Sequence, residues 1–191
     1  MNDFILASSS KSRLSLLKQI NIEPKLIVPA NIDETPLKKE NYEVYIKRMA
    51  ENKANYVANI YKNENILAAD SIVVIKNKII QKPKDIEEIK YFLNLYSGKN
   101  IKCYTAIHLI KKDKTYSKKL VLTKIKFKHL SKRDIDDIFL NEKNFNLNSA
   151  GGLCLEGFTE CLIKKIDGSY SNIMGLPLYD IRNMFISSKI I

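Results

Sequence analysis

The sequence predicts an α/β fold built on a mixed sheet, and three observations lead to this prediction. Continuous apolar runs, such as Ile66–Ala69 and the β-branched Ile72–Ile75, are typical of strands buried on both faces. Other segments carry apolar residues at helical spacing. The two kinds of segment do not alternate strictly, because two consecutive strands are expected within residues 101–129, so the sheet should not be purely parallel.

The first part of the chain is predicted to be mainly parallel. Leu14, Leu17 and Ile20 repeat on one face of a helix, and the polar segment around Pro36 indicates a loop. In order, the expected elements are a strand at 4–7, a helix at 10–20, a strand at 25–29, a loop at 31–39, a helix at 42–61, a strand at 66–75 and a turn into 79–80.

The second part is predicted to hold an antiparallel hairpin between helices. Asp85 and Glu88 form the pattern of a capping box at a helix start, and Pro177 suits the first turn of the last helix. The expected elements are a helix at 85–96, strands at 101–111 and 116–129, a helix at 131–140, a polar stretch at 141–148, a strand at 161–166, a turn-rich loop at 167–175 and a helix at 176–187.

The chain is basic, with 191 residues and a formal net charge of +11, which favours anionic partners. Its lysines are scattered over nearly every segment, and the aromatic interleaving of single-strand binders is missing. We therefore expect no nucleic-acid partner, although the charge keeps that alternative open. Apolar positions in the last helix fit either a homodimer interface or the core.

The sequence shows neither a targeting signal nor a membrane span. The acidic start is followed by only a short apolar run, and no run approaches the roughly 20 residues that cross a bilayer. Three cysteines, Cys103, Cys154 and Cys161, form no C-x-x-C pattern, which indicates reduced thiols. We expect a cytoplasmic protein with no membrane partner.

The first turn of the chain has the residues of a phosphate site. An apolar strand at Phe4–Ala7 leads into Ser8–Arg13, which combines hydroxyls and cations, and then into a helix. Helix N-termini carry partial positive charge and unpaired N–H donors, which suit an anion. Ser8, Ser9 and Arg13 are therefore candidate substrate-binding residues.

Asp70 is the strongest internal signal, because it places a carboxylate between two buried apolar runs. A buried charge is costly unless it is paired or bound to a metal. One interpretation is an acid that caps a turn at a strand end. The other is a metal ligand or general base at the lip of a sheet, where α/β folds commonly bind ligands.

Other charged residues fit an ionic site around Asp70. Asp33 and Glu34 alone are typical of a solvated loop, but beside Asp70 they would suit Mg²⁺ or Mn²⁺ together with substrate phosphates. Lysines in a lysine-rich chain are usually surface residues; alternatively, Lys53 and Lys82 would neutralise a triphosphate together with Arg13.

Seven segments, in this order along the chain, resemble the motifs of the Maf family of nucleotide pyrophosphatases. The opening L-A-S-S-S-K-S-R is similar to L-A-S-x-S-P-R-R, and A-A-D-S is similar to A-A-D-T. The segments are Leu6–Arg13, Met49–Ala54, Ala68–Ser71, Gln81–Pro83, Ser97–Gly98, Ala150–Gly157 and Gly168–Leu178.

The resemblance implies a single domain over residues 1–191, with two lobes, a mixed twisted sheet and a deep central cleft in an elongated fold like that of inosine triphosphate pyrophosphatases. It implies Mg²⁺- or Mn²⁺-dependent cleavage of a nucleoside triphosphate to monophosphate and pyrophosphate, as in the removal of non-standard nucleotides. Asp70 would accept a proton from water, and Glu34 would bind the metal with it. The phosphates would contact Ser8, Arg13, Lys53 and Lys82.

Three positions depart from the family motifs in ways that bear on the base. Ser12, Ser71 and Glu156 match positions that separate a branch acting on dTTP and UTP from others, one of which acts on 7-methyl-GTP. An ionised Glu156 only accepts hydrogen bonds, which favours a base edge that donates, as guanine does. We therefore expect a guanine-type or broad substrate, 7-methyl-GTP included. The alternatives are a pyrophosphatase specific for 7-methyl-GTP and a non-catalytic nucleotide-binding protein acting in cell division.

Overall fold

The computed structural model describes residues 2–139, 147, 149–153 and 158–191. Within these ranges, the regular elements are seven strands and six α-helices. They are β1 (Asn2–Leu6), α1 (Lys11–Gln19), β2 (Pro24–Ile27), α2 (Tyr42–Ile60), β3 (Ile66–Ile75), β4 (Lys78–Ile80), α3 (Ile86–Tyr96), β5 (Asn100–Ile110), β6 (Tyr116–Phe127), α4 (Lys132–Phe139), β7 (Ile163–Asp167), α5 (Tyr170–Ile173) and α6 (Leu178–Ser187).

The strands form one mixed sheet, as the sequence predicts. Its order is β2-β1-β3-β5-β6-β7, and β4 pairs with β3. Ile5 of β1 lies opposite Leu26 of β2 and opposite Ile66 of β3, and both pairings are parallel. The β3–β4 and β6–β7 pairings are antiparallel. The fold is therefore of the α/β class, and its mixed sheet confirms the expected architecture.

The contacts within the chain define two compact units. The first comprises the chain up to Ser71 together with Thr105–Val121 and Met174–Ile191, and the second comprises Ile72–Tyr104 and Leu122–Ile173. The described helices include none that is long and apolar enough to cross a membrane.

In the first unit, β1 and β3 are buried on both faces, which explains their continuous apolar sequence. Phe4 and Leu6 pack into a cluster with α1 and α6, where the rings of Phe4 and Phe185 lie 4.8 Å apart. Ile5 and Ala7 point the other way, into a cluster with Ala54 and Val57 of α2 and with alternate residues of β3. The sheet thereby fixes α2 over the strand that carries Asp70.

The part of β6 that belongs to the second unit, from Leu122 onward, shows the predicted alternation. Thr123, Ile125 and Phe127 are buried, while Lys124 and Lys126 are exposed. Thr123 also receives a hydrogen bond from the side chain of Asn172 at 3.0 Å. The alternation leaves one face of this part of the strand solvated, as the sequence indicates.

Several sequence expectations need correction. Asp70 lies in the interior of the ten-residue strand β3, so the interpretation that it caps a turn at a strand end is wrong. Cys161 belongs to a short 3₁₀ helix that precedes β7. Residues 167–175 include the short helix α5, and Pro177 is the N-cap of α6 rather than a residue of its first turn. The predicted polar stretch at 141–148 lies outside the described residues, apart from Leu147.

Candidate active site

Asp70 meets the ammonium group of Lys53 inside the first unit. The ladder between β1 and β3 ends at the pair Leu6–Leu67, so Asp70 lies beyond the last residue that β1 covers. The Asp70 Oδ1 atom lies 2.5 Å from Lys53 Nζ, and the two side chains are only 14% and 12% exposed. A charge this deeply placed requires a partner, and Lys53 supplies it.

Helix α2 brings Lys53 to this position. Asn41 caps the helix by accepting a hydrogen bond from the Glu43 N–H, and the buried face of α2 includes Ala50, Ala54 and Val57. Lys53 borders this face, so its apolar stem is covered while its ammonium reaches the carboxylates. The same ammonium lies 2.7 Å from Oε1 of Glu34. One lysine therefore joins two acids from distant segments.

The two carboxylates converge closely enough to share a cation. Their oxygens that contact Lys53 are no further apart than about 5.2 Å, the sum of the two contact distances. Mg²⁺ is commonly bound through one or two carboxylates plus substrate phosphates, so this donor set fits such an ion. Within the described residues, no group of three or more His, Cys, Asp and Glu side chains is arranged for a metal.

Arg13 is fixed by three contacts. Its Nε donates to the Gly175 carbonyl at 2.9 Å, Nη1 donates to Ser8 Oγ at 3.1 Å, and Nη2 donates to Ser71 Oγ at 3.2 Å. Ser71 Oγ is also 2.9 Å from Oγ1 of the buried Thr105. Gly175 has a φ of 103°, a left-handed backbone conformation that favours glycine. These contacts hold a rigid guanidinium fork, a group suited to phosphate.

The charges of this site act on each other. Burial lowers the pKa of Arg13, while the negative charges of Asp70 and Glu34 act in the opposite direction. Burial raises the pKa of Tyr45 to about 12, and the same two carboxylates contribute to the rise. Arg13, Asp70 and Glu34 thus lie within electrostatic range of one another, and Tyr45 stays neutral at physiological pH.

The remaining predicted residues occupy different environments. Ser9 is exposed in the loop before α1, and Ser12 is half-buried in the first turn of that helix. Asp33 is exposed and accepts a hydrogen bond from the Thr35 N–H at 2.8 Å. Lys82 belongs to the second unit and is exposed after β4.

Glu156 lies outside the described residues, as does Cys154. The role predicted for Glu156 in base selection therefore stays a prediction. The other two cysteines are free thiols, of which Cys103 is buried and Cys161 is exposed.

The sequence did not predict the residues that contact the charged groups of the site and hold them in place. Thr105 contacts Ser71, and the Gly175 carbonyl receives Arg13. Tyr45 and Arg48 contact the segment that carries Glu34. The glycine occurs within one of the family-like segments, which was a usable signal. Thr105 in an apolar strand and Arg48 on a helix belong to no motif that would have predicted their role.

The chain belongs to the Maf-like protein family, whose sequence model it matches over residues 3–187. It is 40% identical over 181 residues to the dTTP/UTP pyrophosphatase of Wolbachia pipientis, covering 94% of this chain and 90% of that protein. It is 41% identical over 187 residues to the nucleoside triphosphate pyrophosphatase of Rickettsia typhi, covering 96% and 82%.

The Ham1 protein of Staphylococcus aureus aligns with a TM-score of 0.47 and 16% identity, covering 65% of this chain and 71% of that one.

Proposed function

We propose that this protein is a nucleoside triphosphate pyrophosphatase, which hydrolyses an NTP or dNTP to the monophosphate and pyrophosphate. The observation that carries the proposal is the Lys53 ammonium held between the carboxylates of Asp70 and Glu34. Membership of the Maf-like family and the names of the relatives support the same class of reaction.

In the proposed reaction, a water oxygen attacks the α-phosphorus. The bond from that phosphorus to the oxygen bridging the α- and β-phosphates breaks, and pyrophosphate leaves. Asp70 accepts a proton from the attacking water, and a carboxylate suits this role when it is held in place by a neighbour. Lys53 holds it through the 2.5 Å contact.

Basic groups stabilise the charge that develops on the phosphates. Arg13 keeps a fixed orientation through Ser8, Ser71 and Gly175, so its charge needs no rearrangement as the reaction proceeds. We propose that Lys53, which contacts both acids, also contacts the phosphates. We propose that Ser9 also binds phosphate oxygens, while the role of Lys82 stays a prediction of the sequence.

A divalent cation, Mg²⁺ or Mn²⁺, belongs to the proposed site. Asp70 and Glu34 would hold it, and when bound it would neutralise charge on the phosphate oxygens. The two carboxylates fit this role because both present oxygens to a single cationic group, Lys53.

The proposal is tested by measuring pyrophosphate release by wild-type protein and by Asp70→Asn. The substitution removes the proton acceptor and keeps the shape, so turnover should fall by about 10² to 10⁴-fold while nucleotide binding persists. Asp113→Asn, in the exposed turn between β5 and β6, is the control. Near-normal turnover by Asp70→Asn would refute the role of this acid.

A substrate panel tests the base preference and the activity together. It sets dTTP and UTP, named for the Wolbachia relative, against GTP and 7-methyl-GTP, which an acidic Glu156 favours. A preference of tenfold or more for dTTP and UTP would overturn the guanine-type proposal. Binding without pyrophosphate release from any triphosphate would favour the non-catalytic alternative. Cytoplasmic location and a homodimer stay predictions of the sequence.

A further inference from the structure

We propose that Tyr45 and Arg48 are positioning residues that clamp the acid loop, residues 31–41, and thereby fix Glu34 against Lys53. The inference rests on the proposed function in one respect: it takes the Glu34–Lys53–Asp70 cluster as the substrate and metal site. It adds two residues of α2 to that site, neither of which touches the reacting groups.

Two consecutive backbone carbonyls of the acid loop receive hydrogen bonds from one helix. The Tyr45 hydroxyl donates to the Glu34 carbonyl at 2.9 Å, and Arg48 Nη2 donates to the Thr35 carbonyl at 3.1 Å. Tyr45 and Arg48 are three residues apart on α2, so they lie on the same face one turn apart. The backbone of Glu34 is therefore held directly and on its C-terminal side.

The far end of the acid loop is held by the same arginine. Arg48 Nε and Nη2 donate to the two carboxylate oxygens of Glu40 at 2.7 and 2.6 Å. The Glu40 side chain is only 4% exposed, and its Oε2 also accepts the Leu37 N–H at 3.0 Å. A forked arginine–carboxylate pair is strong and geometrically specific. Arg48 thus ties Thr35 and Glu40 to one point.

The acid loop is poorly buried. Residues 33–39 are exposed, and the loop contains neither helix nor strand. Exposed segments with few buried apolar contacts open at low free-energy cost. The hydrogen bonds from Tyr45 and Arg48 of α2 therefore stabilise a loop conformation that burial of apolar side chains does not stabilise.

Helix α2 carries both the clamp and Lys53. Because a helix is rigid over this length, Tyr45 and Arg48 set where Glu34 lies relative to the ammonium 2.7 Å away. Releasing the loop would leave Lys53 and Asp70 in place and free Glu34 alone. The expected consequence is weaker metal and nucleotide binding with the chemistry at Asp70 preserved.

Tyr45→Phe and Arg48→Gln test the clamp, with Lys47→Gln as the matched control at an exposed position of α2. Loss of a hydrogen bond should raise the half-saturating Mn²⁺ and triphosphate concentrations about fivefold in Tyr45→Phe. Loss of the charged fork should raise them tenfold or more in Arg48→Gln. The control Lys47→Gln should match wild type. In Tyr45→Phe and Arg48→Gln, kcat should change by less than about twofold.

Hydrogen exchange of amides 33–40 provides a second readout that needs no turnover. Both clamp variants should exchange faster there than wild type, while the amides of α2 around Lys53 keep their protection. In a Glu34→Gln background, either clamp substitution should add less than about a twofold further change in the Mn²⁺ requirement, because the group being positioned is gone.

The inference would be overturned if hydrogen exchange in the acid loop were unchanged in the clamp variants. It would also be overturned if the clamp substitutions raised the Mn²⁺ requirement as much in the Glu34→Gln background as in wild type. Failure of the proposed function looks different. In that case the wild-type protein releases no pyrophosphate, while exchange and direct Mn²⁺ binding still report whether Tyr45 and Arg48 hold the loop.

Discussion

Replacing Lys53 by Met should destabilise the protein by about 2–3 kcal/mol, because it leaves two carboxylates facing each other. Their nearest oxygens are within about 5.2 Å. At an effective dielectric constant of about 20, two charges at that distance repel by about 3 kcal/mol. Breaking a buried pair costs about 3–5 kcal/mol, and the 44% exposure of the Glu34 side chain places the expected value below that range.

Urea unfolding at neutral pH measures this cost. Lys118→Met is the matched control, since Lys118 pairs with Glu51 at 3.0 Å but both side chains are 41% exposed. A surface pair of that kind contributes about 0–1 kcal/mol. The double variant Glu34→Gln with Lys53→Met should recover most of the loss, because the repulsion requires both charges, and what remains is the cost of leaving Asp70 unpaired.

Two results would refute this reasoning. One is a free energy of unfolding for Lys53→Met within about 0.5 kcal/mol of wild type, which is the range of ordinary surface substitutions. The other is a double variant no more stable than Lys53→Met alone, since that would mean the carboxylates do not repel each other.

Two further predictions concern Arg13 and His108. In Arg13→Lys, the lysine cannot reproduce the guanidinium fork that contacts Ser8, Ser71 and Gly175. KM for the triphosphate, measured by steady-state kinetics, should therefore rise at least about tenfold. An unaltered KM would contradict this role of Arg13. Burial, followed by the charge of Lys118, lowers the pKa of His108 from 6.5 to about 4, with Glu51 opposing. His108 therefore binds a proton more readily in the unfolded chain than in the folded one. The contribution of His108 to the free energy of unfolding is lost as pH falls from about 6.5 to about 4. His108→Leu should flatten that loss in urea midpoints measured across the interval; an identical pH profile would count against it.

Much of the fold was predictable because its signals are local. The Asp85 side chain accepts from the Glu88 N–H as the capping pattern predicts, and β6 alternates as its sequence does. Element boundaries were less secure where the signals were weak. Pro177 fits both the N-cap and the first helical position, and sequence alone placed it one step too far into the helix.

The charged residues of the candidate site could be predicted from the sequence, whereas the residues that hold them in position could not. Asp70 stood out because a carboxylate between apolar runs needs a partner, and Lys53 stood out because it borders an apolar helix face. Nothing local marked Tyr45, Arg48 or Thr105 as their supports, since these residue types are common in helices and strands.

The sequence by itself determined most of the element types, the burial of β3 on both faces and the need of Asp70 for a cation. These follow from periodicity, capping and the cost of burying charge, all of which act over a few residues. The tertiary structure decided which groups meet. Arg13 reaches a carbonyl 162 positions away, and Lys53 joins acids from two segments. Such contacts depend on strand register and on how α2 packs on the sheet, which no short stretch of sequence specifies.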